Sequence, residues 1–497
     1  MARPVCGQCV RVGLVCEGYD RQTIFLHATS GQSRRYRRED KPVPAASTAA
    51  PDTLVSTGNN GSSDGGGATI LLPDALFRAA HEERYLSAFL EKYFPESREF
   101  PSKVTPYING GWTVALPQLF QASPRIRRIL LAVCLASAGD APERAWERKQ
   151  GLTYYTQSLQ DMSATLSGWD RDRGRDQGTA GHTAVLVTSR LSSLYETLCG
   201  HDSQDPMAQA RNWRHHLIGE LAIIMSYPPE TYTSGYMHQL FVDGRLHLIS
   251  SALQMRKRSE LNRPEWKTIP WRDISKTPKD LLVDILLDTP GLLEDLDVLK
   301  ASPYGEVRDA LRREIIRNCW ACDEQLSAWR AAVGIRDPAY AFEIPESPTF
   351  SIDLLAAAHI MTIYWTTSVI VYSTLRTLCP SPASPHPPHT DPGLYCRRIA
   401  ETIPILLHPD SGVYGAQMAN LPAAIVLVYE NAIDGGGAAG AIIFDAYRRA
   451  GRHEAAQRFQ SSMRRQEARS PRLAMMEGPD ADNARARSWL GMDEENM

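Results

Sequence analysis

Three cysteines near the N-terminus, Cys6, Cys9 and Cys16, stand in the spacing C-x2-C-x6-C. Two thiolates with two residues between them come from one turn of chain, and a third carried in on a loop reaches the same ion. That is the ligand logic of a zinc site. A closed structural zinc takes four ligands, and this cluster supplies three. His27 is a candidate fourth donor for a mononuclear Cys3His site. The nine cysteines of this 497-residue chain are too sparse for a disulfide scaffold, and an odd number leaves one unpaired. A reducing compartment, cytosol or nucleus, is therefore expected. The opening residues Met1 to Cys6 lack the apolar run of a secretory signal.

A basic run follows the cysteines, Arg34-Arg35-Tyr36-Arg37-Arg38. Four guanidinium groups in five residues release counterions when they meet phosphate, and the same run can serve as a nuclear import signal. Arg3 and Arg11, within the cysteine segment, are further candidates for phosphate contact, which gives affinity without reading sequence. The net charge of -3 speaks against a surface coated with basic residues, but leaves room for one small basic module.

The words around the cysteines are specific. Cys6-Gly7-Gln8-Cys9-Val10-Arg11-Val12-Gly13-Leu14-Val15-Cys16-Glu17-Gly18-Tyr19 resembles the second half of the fungal Zn2Cys6 binuclear zinc cluster. Pro4 stands where that family has its loop proline, Gly13 where it has a turn glycine, and Gly18-Tyr19 where the cluster ends. The resemblance implies zinc as cofactor, DNA and other transcription regulators as partners, and the nucleus as location. It also implies control of a metabolic gene cluster. In that family six thiolates hold two zinc ions, and the half matched here is not the one whose basic helix enters the major groove. Three readings follow. An upstream segment supplies the first half, His27 completes a smaller site, or the half is lost and the chain works as a co-regulator that binds no DNA.

Other chemistry-bearing patterns are weaker. Cys319-x2-Cys322 falls inside a helical stretch, which predicts core packing rather than a metal or redox pair. Gly435, Gly437 and Gly440 satisfy G-x-G-x-x-G, but the preceding Pro422 to Tyr429 reads as helix and no βαβ unit surrounds them. His386 and His389 sit in the proline-rich stretch Ser381 to Pro392, expected to be a disordered loop. His81-Glu82-Glu83 lacks the second histidine of a zinc protease, and neither a G-x-S-x-G elbow nor a P-loop occurs. The chain is not expected to be an enzyme. At the far end Trp489, Leu490 and Met492 beside Asp493-Glu494-Glu495 read as a frayed terminus.

The elements that would carry these residues divide the chain at 1–40, 41–69 and 70–497. The middle zone, ending in Asn59-Asn60-Gly61-Ser62-Ser63-Asp64-Gly65-Gly66-Gly67, is too poor in apolar residues to offset the entropy of ordering and reads as a linker. Beyond it apolar residues recur at three-to-four spacing from Pro73 to Phe94 and again over 126–138, 150–166, 184–199, 209–226, 236–256, 307–333, 351–376, 392–407 and 439–466. Alternating strand patterns are scarce, so the expected fold is all-α. Leu354 to Leu375 is apolar enough to be mistaken for a membrane span. His359, Thr362, Thr366, Thr367 and Ser368 across its middle predict a buried core helix instead, and no membrane partner. Trp213 to Gly219, Leu240-Phe241 through Arg245, Glu265 to Trp271, Cys322 to Trp329 and Tyr364-Trp365 resemble, diffusely, the helical regulatory domain that accompanies fungal zinc clusters. The resemblance implies a domain that receives partner or effector signals. Oligomeric state is not legible.

Overall fold

The computed structural model describes residues 74–94, 102–139, 144–169, 179–199, 208–334, 350–379, 386–434 and 437–451. Among these the fold is all-α, with short 3-10 turns and no strand. In chain order the helices are α1 (Asp74–Tyr93), α2 (Leu116–Ala122), α3 (Pro124–Ala138), α4 (Ala145–Trp169), α5 (Thr179–Cys199), α6 (Ala208–Met225), α7 (Gly235–Met255) and α8 (Pro264–Thr268). They continue with α9 (Pro278–Leu286), α10 (Thr289–Ala301), α11 (Glu306–Val333), α12 (Ile352–Leu378), α13 (Pro392–Leu406), α14 (Gly412–Asp434) and α15 (Ala438–Arg449).

Local chemistry sets many of the boundaries. Ser123 caps α3 by accepting from the Ile126 N–H, and Pro124 follows at the first helical position, where its missing N–H costs nothing. Thr277 and Asp280 form a reciprocal capping box at the start of α9, with the Asp280 carboxylate 2.9 Å from the Thr277 N–H. Ser351 caps α12 through the Leu354 N–H, and Asp391 caps α13 through the Gly393 N–H.

Two groups of helices pack against each other. In the first, α3 is the hub, touching α1, α2, α4 and α5, while α6 lies along α5. In the second, α12 is the hub, touching α11, α13 and α14, with α15 laid across α13 and α14. Helices α7, α9 and α10 bridge the groups, and α1 also meets α14. A long interior seam results, bounded by α5 and α7 on one side and α12 and α14 on the other.

Two stretches, Ile352–Leu378 and Pro409–Ala432, have the length and apolarity to cross a membrane. In this fold the apolar window of the first is 89% buried among other helices. Most of its hydroxyls are satisfied within the helix. Thr362 donates to the His359 carbonyl, Thr367 to the Ile363 carbonyl and Ser368 to the Tyr364 carbonyl. Such back-bonding lets a hydroxyl lie in an apolar core without an outside partner.

The sequence pattern is amended in several places: α2 and α8 were not anticipated, and α14, of which only Pro422 to Tyr429 read as helix, runs from Gly412 to Asp434. Of the helix expected over 439–466, α15 covers the residues to Arg449, Gly451 takes a positive φ of 63°, and residues 452–466 lie outside the described residues. Helices α9 and α10 arise where no amphipathic run was read. Each is short, and Thr289-Pro290 divides what would have been one period into two.

Candidate functional site

The residues singled out by spacing, Cys6, Cys9, Cys16 and His27, and the arginines Arg3, Arg11, Arg34, Arg35, Arg37 and Arg38, lie outside the described residues. Among the described residues no group of three or more His, Cys, Asp or Glu is arranged to hold a metal. Cys319 and Cys322 are both buried in the core, and burial pushes each thiol up to about 12, so they are inert apolar filler at neutral pH. His386 and His389, expected in a disordered loop, instead part company, the first before and the second within the short 3-10 turn Pro388–Thr390. The first meets the Cys379 carbonyl at 2.9 Å, and the second meets Asp323 at 3.1 Å.

The G-x-G-x-x-G pattern has a local explanation. The Glu430 carboxylate of α14 accepts from the N–H groups of Ala439 and Gly440, at 3.1 and 2.7 Å, at the N-terminus of α15. A Cβ at Gly437 or Gly440 would collide with that carboxylate. These glycines thus make room for an anion supplied by the chain itself, at the helix end that favours one.

The seam between the two helix groups opens into a cavity of about 690 Å³. That is within the usual range for small-molecule sites, and between helices is a usual place for one. Leu246 and Leu253 of α7, Ile363 of α12, and Leu421, Ile425 and Leu427 of α14 give it an apolar body. Tyr93, Asn109, Trp112, Arg190, Asp243 and His359 give it a polar wall.

Two buried ion pairs underpin that wall. Arg190 on α5 places Nε 3.0 Å from Glu220 Oε1 on α6, and its Nη2 bonds the same oxygen and the Leu240 carbonyl. Its guanidinium also lies over the Trp112 ring, 5.3 Å from the centroid. Burial by itself would raise the Glu220 carboxyl. The charges of Arg190 and of His247, whose Nε2 is 2.9 Å from Glu220 Oε2, overcome this and hold it down at about 2. Gly244 of α7 is required here, because a Cβ would strike Arg190 Nη2. The second pair joins Asp243 on α7 to Lys279 on α9 at 3.0 Å. Asp243 also accepts from the Trp112 N–H at 3.0 Å and from Gln239 at 2.7 Å, and Lys279 donates to the Ile108 carbonyl. Tyr414 of α14 donates to the Asn109 carbonyl, tying the same loop to the second helix group.

Against this satisfied frame, four cavity-lining side chains carry polar atoms with no hydrogen-bond partner among the described residues: Asn109 Oδ1, Arg190 Nη1, both ring nitrogens of His359, and Thr366 Oγ1. All four residues are buried. A buried polar atom left without a partner costs about 1–3 kcal/mol, so native folds rarely keep several around one cavity unless something else satisfies them. His359, Ile363 and Thr366 lie one and two turns apart, presenting one face of α12 to the cavity. Burial, aided by the Lys279 charge, pushes the His359 imidazole down to about 3, so it is neutral at physiological pH, with one nitrogen to donate and one to accept.

No family model, curated protein or solved structure matches the chain.

The polar groups of the wall can donate and accept hydrogen bonds to a bound molecule. Burial raises the hydroxyl pKa of Tyr93 and Tyr414 far above neutrality, and His359 is held neutral, so these groups keep one protonation state across the physiological range. A general acid or base works best with its pKa near the operating pH. Groups fixed in one state instead suit the donation and acceptance of hydrogen bonds. Sequence reading marked Trp213, Phe241, Arg245, Trp266 and Trp271 only as words of resemblance. Trp213 lines the cavity, while Phe241, Trp266 and Trp271 pack as an aromatic cluster with Arg245 4.4 Å above the Trp271 ring. Arg190 and Asn109 carried no recognisable signal. His359 and Thr366 did, as polar residues within an otherwise apolar helix.

Proposed function

We propose that this chain is a ligand-responsive transcription regulator, in which the helical region receives a small molecule and the N-terminal segment is the output. The observation that carries the first half is the cavity between the two helix groups, with unpartnered polar atoms of Asn109, Arg190, His359 and Thr366 on its walls. A ligand bound there touches α5, α7, α12 and α14 at once, and so favours one relative placement of the two groups. The second half rests on the sequence words Cys6 to Tyr19 and the basic run Arg34 to Arg38. Zinc would be held by Cys6, Cys9 and Cys16. Three thiolates fall one donor short of a closed site, so a further donor would have to complete it.

The deciding experiment is selection from a random DNA duplex pool with the purified 497-residue chain, with and without zinc. Enrichment of a discrete motif, dependent on zinc and weakened by Cys9→Ser, supports direct DNA reading. A chain that enriches nothing but is recovered with other regulators from nuclear extract points to the second role, a co-regulator without DNA contact. A chain found in neither setting is no transcription regulator.

A further inference from the structure

The charges lining the cavity are already matched within the protein. Arg190 is committed to Glu220, Asp243 to Lys279, and at the rim Arg256 meets Asp297 at 2.6 and 2.7 Å. A carboxylate placed inside would find the Arg190 and Lys279 charges compensated, and an ammonium would find the same of Asp243 and Glu220. Burying either would add an unmatched charge, which costs several kcal/mol in a buried site. The unpartnered atoms ask for something else. Arg190 Nη1 is a donor and needs an acceptor, while Asn109 Oδ1 is an acceptor and needs a donor. His359 and Thr366 can serve in either sense. The remaining walls, from Leu246, Leu253, Ile363, Leu421 and Ile425, want apolar surface.

Resting on the reading of the cavity as an effector site, we infer that its ligand is an uncharged molecule with an apolar body and a compact polar head carrying both an acceptor and a donor, as an amide or a hydroxy-ketone does. The acceptor pairs with Arg190 and the donor with Asn109. His359 and Thr366 can pair with any further polar group, and the body lies along α7, α12 and α14. Selectivity comes from pairing each unpartnered atom once, since a ligand that lacks the matching group leaves a buried donor or acceptor unsatisfied.

The test uses the full chain and the neutral dye Nile red as reporter, displaced by decanamide, decanoate or decylammonium at pH 7.5. Saturable, blue-shifted dye emission is expected from the wild type and not from Ala424→Phe, which fills the apolar wall. Val428→Trp, at the exposed edge of the same wall, serves as the blocking variant if Ala424→Phe loses its helical circular dichroism. Decanamide is expected to displace the dye at a concentration at least tenfold below either charged analogue. Thr366→Val and Asn109→Leu are expected to reduce that advantage at least threefold each. Decanoate or decylammonium matching decanamide would overturn the uncharged class while leaving an effector cavity in place. Absence of any saturable dye binding by the wild type would overturn the cavity reading, and this inference with it.

Discussion

Arg190 and Glu220 form an ion pair sealed inside the helical region, 4% and 0% exposed, bridging α5 and α6 through the space that Gly244 of α7 leaves open. Three helices are thereby locked around one guanidinium, one of whose nitrogens, Nη1, is left without a partner. Removing one member of such a pair strands the other charge in the core. Arg190→Leu is expected to destabilise the fold by about 3–5 kcal/mol, whereas Arg190→Met with Glu220→Leu recovers most of that loss. Urea denaturation followed by circular dichroism measures both, and a double variant no better than the single one would argue against this reading.

Gly244→Ala tests the same contact from the other side. The added Cβ would strike Arg190 Nη2, so about 1–3 kcal/mol should be lost despite the better helix propensity of alanine. A stabilised variant would show that the crossing is looser than described.

Acid should weaken the fold in two windows. Burial lowers His182 and His216 to about 4 and His359 to about 3, all below the ordinary histidine value of 6.5. The unfolded chain takes up these protons first, so their contribution is fully present above pH 6.5 and is lost as pH falls toward 4 and then 3. Each proton adds a slope of about 1.4 kcal/mol per pH unit. Glu220 acts lower down: its contribution is present above its ordinary value of 4.5 and is lost as pH falls toward 2. Urea midpoints at pH 7.5, 5.5 and 4.5 should fall steadily, and His359→Leu should flatten the slope by one proton.

His359→Leu and Thr366→Val carry a second expectation. Each removes polar atoms that have no partner in the fold, so the ligand-free protein should be as stable as the wild type or gain about 1 kcal/mol, even as ligand binding weakens. Stability and binding moving in opposite directions separates a recognition role from a structural one. Loss of stability in both variants would mean that these atoms serve the fold.

Glu430→Ala should fray α15 without touching the cavity. The carboxylate caps two N–H groups at the helix start, and losing it should cost about 1 kcal/mol. Amide exchange at Ala439 and Gly440 is the direct readout, and unchanged protection there would count against the cap.

The all-α class was legible because apolar residues recur at helical spacing, while the helix starts at Ser123-Pro124, Ser351 and Asp391 emerged only with the structure. The short helix α9 was not legible, since nine residues hold too few turns for a period to show. The cavity was illegible for a different reason. Its walls are joined by contacts such as Tyr414 to Asn109 and Lys279 to Ile108, between residues far apart along the chain and with no fixed spacing. Only His359 and Thr366 betrayed it, as polar side chains on an apolar helix. Even they read as core residues until the satisfied hydroxyls of Thr362, Thr367 and Ser368 showed them to be the exceptions.

The central claim, that occupancy of the helical cavity governs a transcriptional output, is tested most directly by mapping the chromatin occupancy of the tagged full chain in its own cells, wild type beside Ala424→Phe. The account predicts discrete promoter sites for the wild type, with altered occupancy and altered transcripts of the adjacent genes when the cavity is filled. Equal occupancy and equal transcripts for the two chains would contradict it, as would a wild-type chain that marks no promoter at all.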